Sequence, residues 1–108
     1  MKSTMKIIVV KPEHKPEVIE IDHTLEAMQS VVGGYIEATY PFDDEVALIC
    51  NEEGKLSGLK PNCVMVNGEG DFLDIIFGTF FLCGAPADSE NFESLTDSQI
   101  TQYLEHFW

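Results

Sequence analysis

The sequence predicts an α+β domain: a mostly antiparallel sheet with two helices, the second C-terminal and amphipathic. Three observations carry this. Short β-branched and aromatic runs alternate with turn residues, as in strands joined by hairpins. Only two stretches space their apolar residues as a helix face does. The longest apolar segment, Phe72 to Cys83, reads as a central strand, and the apolar stretch within and after it, Ile75 to Ala85, is too short to span a bilayer.

Met5 to Val10 forms the first strand, stopped at Pro12. Lys11 to Pro16 is a turn, and Glu17 to Ile21 returns as the second strand. Asp22 or Thr24 caps a helix whose Leu25, Met28 and Val32 share one face, and Gly33-Gly34 ends it. A phosphate-binding loop would instead precede its helix. Tyr35 to Tyr40 alternates as a strand, and Pro41 to Asp44 turns. Val46 to Cys50 is apolar throughout, as in a strand buried on both faces.

Asn51 to Gly54 is a second turn. Leu56 to Leu59 is a short strand candidate, broken by Lys60-Pro61-Asn62. Val64 to Val66 is another strand, and Asn67-Gly68 is a hairpin dipeptide. Within Phe72 to Cys83, Gly78 marks a bulge or a close backbone approach. Gly84 to Ser94 is a loop. Thr96-Asp97-Ser98-Gln99 fits a capping box, with Leu95 and Ile100 placed as a hydrophobic staple. Ile100, Tyr103, Leu104 and Phe107 then line one face of the last helix, over about residues 96–107.

At 108 residues with 44% hydrophobic content, the chain is one domain, 1–108, able to bury a core without staples. Its charge is lopsided. There are 19 Asp and Glu against 6 Lys, no Arg, and a formal net charge of −13. No Lys occurs after Lys60. This composition argues against direct binding to nucleic acid or anionic membrane, whose phosphates call for cationic side chains. Cys50, Cys63 and Cys83 are odd in number and widely spaced, as expected of small buried hydrophobes in a reducing compartment. The N-terminus lacks the apolar core of a signal peptide, so the expected location is cytoplasmic.

No metal-ligand spacing links His14, His23 and His106, and no nucleophile elbow or phosphate cradle is present. Asp43-Asp44-Glu45 lacks the spacing of a calcium loop. The expectation is a non-enzymatic domain with no catalytic residue, metal or cofactor. What remains is the acidic surface, which either serves solubility or presents carboxylates in place of nucleic-acid phosphates to a basic protein. The candidate partner-binding residues are Asp43, Asp44, Glu45, Glu52, Glu53, Glu69, Asp71, Asp88, Glu90 and Glu93. Two alternatives stand beside this. Phe107 and Trp108 could anchor a partner or a second copy through the last helix. A small molecule could bind in a pocket beside the central strand, although no polar cluster marks one.

Three segments, Glu20 to Glu37, Ile49 to Asn62 and Asp74 to Gly84, resemble a family of small domains of unknown function. Gly33-Gly34-Tyr35-Ile36-Glu37, Asn51-Glu52-Glu53-Gly54 and Gly78-Thr79-Phe80-Phe81 are its most specific runs. The chain departs from the family pattern at Lys60 and Cys63, where Pro and Arg are common. The resemblance covers about residues 5–86 and places the C-terminal helix outside the shared core. It implies carriage by phages, plasmids and conjugative elements of Gram-positive gut bacteria, and no particular activity.

Overall fold

A computed structural model describes residues 3–42, 44–54, 58–66 and 69–107. The elements are β1 (Thr4–Val10), β2 (Glu17–Asp22), α1 (Leu25–Val32), β3 (Ile36–Thr39), β4 (Val46–Asn51), β5 (Pro61–Val66), β6 (Phe72–Phe77), β7 (Phe80–Gly84) and α2 (Asp97–Phe107). Five strands form one antiparallel sheet in the order β2-β1-β7-β4-β3. β5 and β6 form a separate antiparallel ribbon.

Alternation along the strands sends side chains to two cores, one on each face of the sheet. Met5, Ile7, Val9, Ala47, Ile49, Phe81 and Cys83 meet Met28 and Val32 of α1 on one face. Ile8, Val10, Leu48, Phe80 and Leu82 meet Tyr103 of α2 and Ile76 of the ribbon on the other. This two-sided cover explains why β4 and β7 are apolar and buried at nearly every position.

The helix ends follow local chemistry. Thr24, not Asp22, caps α1, its hydroxyl accepting from the Ala27 amide at 3.1 Å. Thr96 and Gln99 satisfy each other's amides at 2.9 and 3.1 Å, and Leu95 and Ile100 both join the α2-side core.

The expected single strand from Phe72 to Cys83 is two strands in two sheets. Gly78 adopts φ +82° between β6 and β7, where its amide donates to the Lys60 carbonyl at 2.7 Å. A side chain there would also meet Leu59 Cδ1 at 2.7 Å, so the glycine is a chain break with a close approach. The Lys60-Pro61-Asn62 break is corrected as well. Pro61 opens β5, a position that requires no backbone donor. Gly58 and Leu59 lie outside any strand, while Leu56 and Ser57 of that strand candidate, and the Asn67-Gly68 turn, fall outside the described residues. The 85–94 loop folds back so that Glu93 pairs with Gly84 and the Leu95 amide donates to Lys6 in β1.

Candidate functional site

The sheet register decides which acids come together. β4 runs from Val46, opposite Gly84, to Asn51, opposite Ile36. Asp44 and Glu45 therefore sit at one end of the β3–β4 pair, and Glu52 and Glu53 at the other. Exposed Glu37 lies between them on β3, the outermost strand. Exposed tyrosines flank that strand, Tyr35 at 70% and Tyr40 at 63% exposure. This edge of the molecule is the candidate site.

The turn at the Glu53 end is built around Asn51. Its side-chain amide donates to the Val32 carbonyl at the end of α1 at 3.2 Å, and its oxygen accepts from the Glu53 amide at 2.8 Å. Tyr35, Asn51, Glu53 and the α1 terminus line an open pocket of about 300 Å³. At the opposite end Asp44 is engaged structurally. It accepts from Tyr103 Oη at 3.2 Å, from Gln99 Nε2 at 3.5 Å and from the Glu45 amide at 2.7 Å. Burial, reinforced by the negative charge of Asp44 and this hydrogen bond, pushes the Tyr103 phenol up to about 12.

None of the described lysines lies on β3 or β4. Lys6 faces Glu20 across β1 and β2, Lys11 and Lys15 belong to the β1–β2 turn, and Lys60 precedes β5. Lys60 pairs with Glu13 at 2.6 Å and holds that carboxyl below its ordinary value. Lys55 is outside the described residues.

The other candidates are dispersed. Asp88 and Glu90 are exposed in the 85–94 loop, which starts beside Glu45 through the Ala85 amide. Glu93 is half-buried and accepts from Ser89 Oγ at 3.1 Å. Glu69 and Asp71 are exposed between the ribbon strands, away from the β3 edge. Asp43 and Trp108 are outside the described residues. Phe107 is committed to packing, its ring 5.5 Å from Phe80 and 6.2 Å from Phe42. Apolar exposure lies instead on the ribbon, at Val64 and Ile75, which pair across the strands, and at Phe72, with Leu25 of α1 and Val18 of β2 exposed elsewhere. No pattern in the sequence singles out Tyr35 and Tyr40 as flanking residues, because that role depends on β3 being outermost.

A second open pocket, about 430 Å³, is lined by His23, Leu25, Met28, Glu90 and Phe92. His23 Nε2 donates to the Phe92 carbonyl, tying the entry of α1 to the 85–94 loop. Among the described residues no group of three or more His, Cys, Asp or Glu is placed to hold a metal ion. No described helix is long and apolar enough to cross a membrane.

The architecture defines an antiparallel α+β domain with a helix on each face of its main sheet and acidic residues at both ends of its outer strand pair. The chain belongs to the family described as a domain of unknown function (DUF3846), matched over residues 5–108. The match takes in α2, which the sequence resemblance had set outside the shared core. The chain matches no curated protein and no solved structure.

Proposed function

We propose that this domain is a non-enzymatic, cytoplasmic interaction module that binds a basic protein in place of nucleic-acid phosphates. The observation that carries the reading is the gathering of acids along one sheet edge on whose strands no described lysine lies. Asp44, Glu45, Glu52, Glu53 and Glu37 gather along the β3–β4 edge, while the described lysines sit on or beside β1, β2 and β5. Such an acid-rich edge attracts a basic groove and accelerates its encounter. The resemblance to domains of phages, plasmids and conjugative elements supports a setting in which blocking a host nuclease or transcription factor benefits an incoming element.

The test is capture of partners by the tagged protein from host lysate at about 0.05 M and about 0.5 M salt, where screening lengths differ several-fold. The expected result is a basic nucleic-acid-binding protein retained at low salt, lost at high salt, and displaced by added duplex DNA. Changing Glu45, Glu52 and Glu53 together to Gln should abolish retention. Partners that are insensitive to salt, or retained by the triple variant, overturn the reading.

A further inference from the structure

We propose that the outer edge of β3 accepts an extended basic segment of a partner protein as a sixth strand of the main sheet. This rests on the basic-partner reading above and specifies how the partner docks. The Glu52 amide donates to the Tyr35 carbonyl at 2.9 Å, so Tyr35 and Glu52 are a hydrogen-bonded pair of the antiparallel ladder. Alternation then turns Glu37 and Thr39 toward β4, and turns the N–H and C=O groups of Ile36 and Ala38 outward. Among the described residues no backbone group bonds to that outward side of Ile36 or Ala38.

Exposed strand edges are commonly guarded by short length, charged side chains, Pro or a bulge. β3 reads Ile-Glu-Ala-Thr, contains no Lys, Pro or bulge, and pairs with β4 without a register shift; it is short, and its one charge, Glu37, repels acidic strands while admitting basic ones. Its surroundings select the occupant. Glu37 lies on the strand, Asp44 and Glu45 at one end, and Glu52 and Glu53 at the other. Tyr35 and Tyr40 offer ring faces to Lys or Arg side chains at both ends. A second copy of this chain fits poorly, because pairing β3 with itself would bring the same acids face to face. The opposite edge, β2, is a weaker acceptor of cations, since Glu20 already faces Lys6 and accepts from Thr4 Oγ1 at 3.2 Å.

The experiment is an NMR titration of the whole protein with a synthetic peptide of about six to eight residues alternating Lys and Val, a length matched to one strand. The amides of Ile36 and Ala38 should shift and gain protection from exchange. Ala38→Pro, which deletes an outward N–H and spares the ladder to β4, should weaken binding about tenfold or more. Val18→Pro on the β2 edge should leave binding unchanged. A peptide N-methylated at alternate residues blocks the same hydrogen bonds from the ligand side, so the test survives even if Ala38→Pro fails to fold. Salt-sensitive binding with undisturbed Ile36 and Ala38, or equal affinity for the methylated peptide, overturns strand addition and leaves the basic-partner reading standing. Absence of peptide binding overturns strand addition too, and the lysate capture then judges the parent reading. Ile36 and Ala38 protected in the protein alone, with a mass that grows with concentration, overturns the proposal in favour of self-pairing.

Discussion

The Tyr103 hydroxyl joins α2 to the β3–β4 turn through Asp44, 59 positions away in the chain. The ring is 2% exposed and stacks obliquely on Phe42 at 4.7 Å. Its phenol is raised to about 12 from an ordinary value of 10, chiefly by burial and then by Asp44. The folded state therefore holds this proton more tightly than the unfolded chain does. The resulting stabilisation is complete below pH 10 and is lost as pH rises through 12. Cys83, raised by burial to about 12 from an ordinary 9.0, adds a second contribution that fades over the same side of the scale. Urea midpoints should thus hold steady up to about pH 9 and fall beyond it. Tyr103→Phe should cost about 1 kcal/mol at neutral pH, the net worth of one hydrogen bond, and shallow the alkaline fall. An alkaline limb identical in wild type and variant would refute the assignment. The sequence shows Asp43-Asp44-Glu45 as one acidic turn. Only the tertiary contact separates Asp44, which braces α2, from Glu45, which faces solvent.

Beside the packing of Ile76 in the α2-side core, one side chain bridges the β5–β6 ribbon to the main sheet by hydrogen bonds. Asn62 Nδ2 donates to the Val10 carbonyl at 2.9 Å and to the Gly78 carbonyl at 2.8 Å, at the end of β1 and at the break before β7. Asn62→Asp keeps the shape but removes both donors. It should destabilise the protein by about 1–3 kcal/mol, the usual cost of stranding polar partners. Hydrogen exchange should accelerate more across β5 and β6 than across β1 and β7, because the ribbon has no other strand beside it. A uniform acceleration would show that ribbon and sheet open as one unit. The same contact explains which elements were legible in the sequence. β1, β4 and the α2 cap are announced by residues a few positions apart, so local reading finds them. The division at Gly78 is made by Asn62 of β5 and by Lys60 just before it; the glycine marks a bulge or close approach in the sequence, but nothing local shows that the strand ends there. The candidate site was legible only as a set of acids. Their assembly along β3 depends on strand order, which hairpin signals between neighbouring strands do not reveal.

On the scale of the whole molecule, the net charge of −13 acts on folding and on binding with opposite signs. The protein measures 38 × 30 × 25 Å. At about 0.01 M salt the screening length is roughly 30 Å, so nearly every carboxylate repels every other across the fold. At about 0.15 M it is roughly 8 Å, and only neighbouring charges interact. The unfolded chain spreads the same charges farther apart, so the compact state bears more of the repulsion and gains more from screening. Stability should therefore rise with salt across this range. A gain of about 1 kcal/mol would lift Tm by roughly 4–8 °C for a domain of this size. Binding to a basic partner should weaken over the same range, because the attraction is screened too. Thermal melts and partner titrations in one salt series would show the two slopes crossing. A Tm flat in salt would mean that acid–acid repulsion does not limit the fold.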